Sequence, residues 1–442
     1  MTAETVSPER SWLYHPVFPE SWEPHVLYSL AAWINGMAFK DINFTPTGRP
    51  VIKIAEIKGG ITAQTQFTDS EYDERYFITR GDMLFSWSGQ PETSIDAFYW
   101  DGPDGWLNQH VFKVLPDDDA CTPSFLYYIL KYLKPNFIGI ARNKQTTGLG
   151  HVTKADMQAI HVRIPDRPTQ DRITHVLSKL DARIDVNRRM NRTLEKTAAA
   201  LFKSWFIDFD PVRAKAEGRA PCLPVEIADL FPDTFEDSDL GPIPKGWKVA
   251  SMKDLADVNA RTIKRDYPHV RIRYVDISSV SQGSLDQTTT YDLADAPSRA
   301  KRLVQTGDTI WSCVRPNRKA YLYIDRPADN LVVSTGFAVL SPRIVPASYL
   351  HQWVTTQVFV DYLTAYATGA AYPAVTADTF ETAKMILPGK DILKAFHDLV
   401  GPLRTRIAHN QRQNRRLSGL RDTLLPKLIS GEIEAPAAEE GT

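Results

Sequence analysis

Two stretches decide the fold: ITHVLSKLDARIDVNRRMNRTLEKTAAALFKSW at 173–205 and FHDLVGPLRTRIAHNQRQNRRLSGLRDTLLPKL at 396–428. At an offset of 223 they share nine identities in 33 positions: Leu180/Leu403, Arg183/Arg406, Ile184/Ile407, Asn187/Asn410, Arg189/Arg412, Asn191/Asn414, Arg192/Arg415, Leu194/Leu417 and Leu201/Leu424. Average residue frequencies would give roughly two. In the first stretch Ile173, Leu177, Leu180, Ile184, Asn187, Asn191, Leu194, Ala198, Leu201 and Trp205 alternate spacings of four and three. Phe396, Val400, Leu403, Ile407, Asn410, Asn414, Leu417, Arg421, Leu424 and Leu428 do the same in the second. That spacing is the seam of a coiled coil.

Each seam holds two asparagines at its centre. In an antiparallel pair whose residue numbers sum to 601, Asn187 meets Asn414, Asn191 meets Asn410, Ile184 meets Leu417 and Trp205 meets Phe396. Every amide then has a partner, and an unsatisfied buried amide costs ~1–3 kcal/mol. The asparagines are expected to act as register pins. Gly401-Pro402 predicts a kink or restart in the second helix, because proline lacks the N–H and belongs in a first turn.

Outward from the helices the duplication continues with shifting offsets. Gly81-Asp82 matches Gly307-Asp308 at 226, Thr147-Gly148 matches Thr368-Gly369 at 221, and Trp22 matches Trp247 at 225. The period is far longer than a solenoid repeat, so each copy is a domain plus a helix. Short β-rich runs (51–54, 83–87, 111–115) mix with a helical segment at 123–133, and 310–314, 336–340 and 347–366 repeat the order. The predicted class is α+β, with two similar domains separated by a long antiparallel two-helix coiled coil. The boundaries read 1–165 first domain, 166–206 first helix, 207–246 connector, 247–388 second domain, 389–431 second helix and 432–442 tail. The connector is proline-rich, and its 226–239 stretch holds six acidic residues and no Lys or Arg, which reads as semi-extended chain.

With 43% hydrophobic and 24% charged residues, the 442-residue chain has the balance of a soluble globular protein, and a net charge of −1 gives no global argument for a polyanion partner. Cys121, Cys222 and Cys313 are too few for a disulfide framework or zinc cluster, which fits a reducing cytoplasm. No apolar run approaches the ~20 residues of a membrane span.

Catalytic motifs are missing: no Gly-x-Gly-x-x-Gly, P-loop, His-Glu-x-x-His or Cys-x-x-Cys, nor the Asn/Asp-Pro-Pro-aromatic tetrapeptide of amino-methyltransferases. Glu56-Ile57-Lys58 after Asp41 is read as a solvated strand face rather than a nuclease cluster. Asp82/Asp308 is the one clear titratable pair matched between the copies, and Gly-Asp entering a strand reads as a turn. The ten histidines show no ligand spacing, and no metal site is expected.

What remains are basic, amide-bearing and aromatic loops in matching places. Arg142, Asn143, Lys144, Gln145 and Thr146 combine phosphate-binding charge with amides suited to adenine edges. Arg315, Asn317, Arg318 and Lys319, with Tyr366 and Tyr372, supply a similar mix in the second copy. Lys40 and Trp87 complete the DNA-contact candidates. Segment 171–203 carries eight basic residues against four acids, and its Arg188, Arg189 and Arg192, with Arg412 and Arg415, are assigned to partner docking first.

The strings INGMAFKDINFTPTGRPVIKIAEI (34–57), GDMLFSWSG (81–89), LNQHVFKV (107–114), TTGLGHVTKADMQAIHVRIP (146–165), LFKSWFIDFDPVRAKAEG (201–218), GPIPKGW (241–247) and LLPKLISGEI (424–433) resemble the DNA specificity subunit of Type I restriction-modification systems over nearly the whole chain. The resemblance implies a non-catalytic subunit with two target-recognition domains, each reading one half of a split DNA target. It also implies two modification (methyltransferase) subunits bringing S-adenosylmethionine, and restriction subunits bringing ATP, Mg and nuclease, with no cofactor in this chain. A helix of ~33 residues at 1.5 Å rise is ~50 Å long, enough to space two domains about one DNA turn apart. The alternative is a recognition or scaffold subunit of another methyltransferase-nuclease assembly. Cys313-Val314-Arg315-Pro316 departs from Trp87-Ser88-Gly89-Gln90, as two different half-sites would require.

Overall fold

A computed structural model of the chain describes residues 16–40, 43–62, 64–144 and 148–436. The chain divides into two compact units, Met1–Asp185 with Asn414–Thr442, and Val186–Gln413.

In the first unit, strands Ala31–Asn35, Val111–Pro116, Met83–Ser86 and Asp96–Tyr99 lie in that order in one antiparallel sheet. Met83–Ser86 is buried along its whole length, so this central strand is covered on both faces. A second sheet runs Phe67–Thr68, Arg49–Ile52, Gly105–Leu107, Phe77–Ile78, and its central pair is parallel. Glu23–Val26 pairs with His161–Ile164. Two helices follow the first sheet, Pro123–Tyr132 and Lys134–Asn143. The first starts where Thr122 Oγ1 accepts the Phe125 N–H at 3.1 Å with proline in the first turn.

The second unit repeats this topology strand for strand. Ala256–Val258, Phe337–Pro342, Thr309–Ser312 and Tyr321–Tyr323 form the antiparallel sheet. Thr289–Asp292, Arg271–Val275, Leu331–Ser334 and Ala300–Leu303 form the second, again with a parallel central pair. Lys248–Ser251 pairs with Lys384–Leu387, and helices Ala347–Val354 and Gln357–Tyr366 take the places of 123–132 and 134–143.

The matched Gly-Asp is a turn in both copies. Gly81 and Gly307 sit at φ 98° and 94°, where a side chain would be strained, and donate to the Trp100 and Ile324 carbonyls. Asp82 accepts the Thr79 N–H at 2.7 Å and Asp308 the Gln305 N–H at 2.8 Å. Asp308 is buried beside Arg261, and burial pushes its carboxyl above the usual range.

Both long helices, Arg167–Phe206 and Lys390–Ile429, contain 40 residues. The expected restart at Gly401-Pro402 does not occur; the helix is unbroken there. The missing proline N–H leaves only the Asp398 carbonyl, on an exposed turn where water can serve it, while buried Phe396, Val400 and Ile407 hold the seam on both sides. In the first unit Ile173 and Leu177 share a core with Leu425, Leu428 and Ile429. In the second, Ala198, Phe202, Trp205 and Phe206 pack with Phe396 and Val400, with Trp205 and Phe396 ring centroids 5.9 Å apart.

The connector is not semi-extended chain. It forms a helix at Asp210–Ala216 and pairs Phe235–Glu236 with Ile243–Pro244. Phe209, Val212, Phe231 and Ile243 are buried in the second unit's core together with Trp247. Proline content and acidity marked its surface, but these spaced aromatics and aliphatics dominate its energetics at about 25 cal/mol per Å² buried.

Candidate nucleic-acid interface

In the first unit the helix Lys134–Asn143 delivers the predicted cations to the surface, and carboxylates meet them there. Arg142 Nε donates to Glu92 Oε1 at 2.6 Å, and that hydrogen bond holds the Glu92 carboxyl below its usual range. Asn143 is the exposed last residue of the helix. Lys144 Nζ lies 2.6 Å from Asp156, which also closes a capping box with Thr153 at the start of Lys154–Gln158. Burial works against ionisation of Asp156, yet the hydrogen bonds from Lys144 and Thr153 leave its carboxyl below the usual range. Gln145 and Thr146 lie outside the described residues.

Trp87, half-buried, donates its indole N–H to Asn35 Oδ1 at 3.0 Å and leans on His110 and Phe112. Lys40 is exposed, its backbone N–H bonded to Asn43 Oδ1 at 2.8 Å. Sequence reasoning missed His110, whose ring lies 5.8 Å from that of Trp87, and Gln109, whose amide is 3.3 Å from the His110 ring nitrogen. The string LNQHVFKV contained both; only the strand pairing brings His110 to the indole. Glu56 is not on the solvated strand face that its Glu-Ile-Lys pattern predicts. It sits buried in a short helix, Ile54–Gly59, accepting from the Lys53 N–H and the Thr65 hydroxyl.

The equivalent loops of the second unit are built differently. Val375 N–H bonds the Cys313 carbonyl at 2.9 Å just as Val152 N–H bonds Trp87 at 2.8 Å, so Cys313 stands where Trp87 does. Burial pushes the Cys313 thiol up to about 11, against the opposing pull of Arg302. Arg315 and Lys319 are left-handed at φ 51° and 54° and bracket the single turn Pro316–Arg318. Arg315 N–H donates to Pro373 O at 2.7 Å, its Nη2 to Ala371 O at 3.1 Å, and its guanidinium lies 4.5 Å from the Tyr372 ring centroid. Thr368 and Ala374 exchange two backbone hydrogen bonds of 2.9 Å, closing the loop that carries Tyr372. Tyr366 and Tyr372 are 62% and 68% exposed, and Asn317 and Arg318 are exposed as well. Lys319 Nζ reaches Gln357 Oε1 at 2.8 Å.

On the long helices, Asn410 Nδ2 donates to Asn191 Oδ1 at 2.8 Å, where the residue numbers sum to 601. Asn187 donates to Gln413 Oε1 at 2.9 Å, and Asn414 to the Ile184 carbonyl at 3.4 Å. Asn187 and Asn410 are fully buried. Arg188, Arg189, Arg192 and Arg415 are exposed, whereas Arg412 is half-buried and ion-paired with Asp325. Arg421, the odd cation of the second seam, pairs at 2.7 Å with Asp181, which also accepts from Tyr128. Among the described residues no group of His, Cys, Asp and Glu could hold a metal ion, and no helix is long and apolar enough to cross a membrane.

The family model of the Type I restriction modification DNA specificity domain matches residues 19–196. The Type I restriction enzyme HindI specificity subunit of Haemophilus influenzae is 25% identical over 409 residues, covering 80% of this chain and 87% of its own. The MjaIX specificity subunit of Methanocaldococcus jannaschii is 25% identical over 428 residues, covering 89% and 92%. A crystal structure of the Type I restriction-modification S subunit from M. genitalium aligns over 92% of this chain and 96% of that chain, at 15% identity and a TM-score of 0.48.

Proposed function

Since the chain belongs to the family of Type I restriction-modification DNA specificity subunits, we propose that each of its two units reads one half of a split double-stranded DNA target. DNA target recognition is the part a specificity subunit plays; the division between the units is supported by one observation above all. The same strand order recurs twice while the loops on it diverge, Cys313-Val314-Arg315-Pro316 standing where Trp87-Ser88-Gly89-Gln90 does. A duplicated scaffold with divergent loops suits two unlike base sets.

In this reading Lys40, Trp87, Arg142, Asn143, Lys144, Gln145 and Thr146 face the first half-site, and Arg315, Asn317, Arg318, Lys319, Tyr366 and Tyr372 the second. Arg188, Arg189, Arg192, Arg412 and Arg415 contribute to the docking of two modification subunits, Arg412 from its ion pair with Asp325. Modification subunits supply S-adenosylmethionine and flip the target base; restriction subunits supply ATP hydrolysis and Mg-dependent cleavage, in the cytoplasm. The chain itself then methylates and cleaves nothing when purified alone. The test is a methylome: exchanging residues 22–165 for those of a relative should change one half of the methylated sequence and leave the other half and the spacer intact. Alteration of both halves would end the two-reader reading.

A further inference from the structure

We infer that Arg315 reads a guanine of the second half-site and that Tyr372 is the support that fixes its guanidinium for the task. This rests on the two-reader proposal and goes further, naming a residue and a base. Four observations on one residue carry it. Arg315 adopts a left-handed backbone, φ 51° and ψ 61°, that costs a branched or long residue energy and persists where surrounding bonds impose it. Those bonds are present: its N–H is held by Pro373 O, and the Val314–Ala374 bridge adjoins it. Its guanidinium is stacked at 4.5 Å on Tyr372 and anchored at one nitrogen by Ala371 O.

Stacking restrains the plane of the fork while leaving other N–H donors for a ligand. No carboxylate lies within ion-pair distance of it among the described residues, so its charge is not already spent. An arginine whose plane and one edge are fixed loses little further rotamer freedom on binding. Its two-pronged edge matches guanine O6 and N7, the commonest arginine contact to a base. Tyr372, 68% exposed at the tip of a loop closed by two hydrogen bonds, is otherwise a costly surface aromatic with no core to fill.

The test uses the full chain assembled with modification subunits and a pool of DNA duplexes randomised across 30 base pairs. Wild-type enrichment should return two half-sites, with an invariant guanine in the second. Arg315→Ala and Arg315→Lys should both erase that guanine preference, by about 10- to 100-fold, because lysine keeps the charge and lacks the fork. Tyr372→Phe should keep the preference and Tyr372→Ala should weaken it. The first half-site, unchanged throughout, certifies that each variant is folded. Enrichment of a single or undivided site by wild type would overturn the two-reader proposal. Two half-sites with the guanine preference intact in Arg315→Lys would leave that proposal standing and overturn this one.

Discussion

In the first unit Arg142 lies 2.6 Å from Glu92 and Lys144 2.6 Å from Asp156, whereas in the second unit Arg315 rests on the Tyr372 ring with no carboxylate at ion-pair distance among the described residues. The two loop sets hang on the same topology, and both carry basic, amide and aromatic side chains. Their electrostatics differ because Arg142 and Lys144 of the first unit have counter-ions in their own fold, while among the described residues Arg315, Arg318 and Lys319 of the second form no ion pair. A cation paired within its own fold releases fewer counter-ions when DNA arrives, since part of its charge is already neutralised. The first unit should therefore draw more of its affinity from neutral groups such as Asn143 and the Trp87, Gln109 and His110 cluster, and the second more from charge.

That comparison presumes a sound scaffold beneath both loop sets, and the largest effect expected bears on it. Asn410→Leu removes the donor to Asn191 Oδ1 at a fully buried site and should cost about 1–3 kcal/mol of stability. Leu at both 191 and 410 should recover part of the loss, and a double-mutant cycle by denaturant unfolding that shows no coupling would remove the asparagines as register pins. Next in size, Arg318→Ala should lower the slope of log affinity against log salt by about one ion, and Lys144→Ala by clearly less. Equal slopes for the two would erase the contrast between the units.

Lys144→Ala should instead appear as lost stability of about 1 kcal/mol, modest because the lysine is partly exposed. Asp156 is held below its usual range, so its contribution is complete above the unfolded carboxylate value of about 3.9 and fades as pH falls through the folded value. Thermal melts between neutral and acid pH should show that acid-side loss in wild type and a shallower one in Lys144→Ala; parallel curves would mean the pair does not brace the loop. The smallest effect is a gain. Glu92→Gln frees Arg142 and should tighten DNA binding about two- to fivefold at low salt. A weakening would indicate that Glu92 positions Arg142 for DNA rather than restraining it.

The long helices were legible in the sequence because a seam is local periodicity, and the duplication sharpened it: Ile184, Asn187 and Ala198 fall buried where the spacing places them. The strand order and the counter-ions were not legible. Glu92 is fifty residues from Arg142, and nothing in either neighbourhood announces the pair. Phe231 and Ile243 were hidden among prolines and acids whose composition outweighed them. Arg315 and Lys319 were identified as basic residues, but their left-handed backbones follow from bonds to distant chain and have no signature in Arg-Pro-Asn-Arg-Lys. Glu56 shows the reverse error, a local pattern read correctly as polar and placed on the wrong element.

Because Leu425, Leu428 and Ile429 complete the core that Ile173 and Leu177 begin, the first unit is assembled from both ends of the described chain. During synthesis it must wait, its apolar helix face uncovered, until the whole second unit has left the ribosome. A premature stop after residue 413 would then injure the first reader more than the second. A gene rearrangement that trades one reader for another would need to carry a matching closing segment, or rely on the two helices being similar enough to serve either partner.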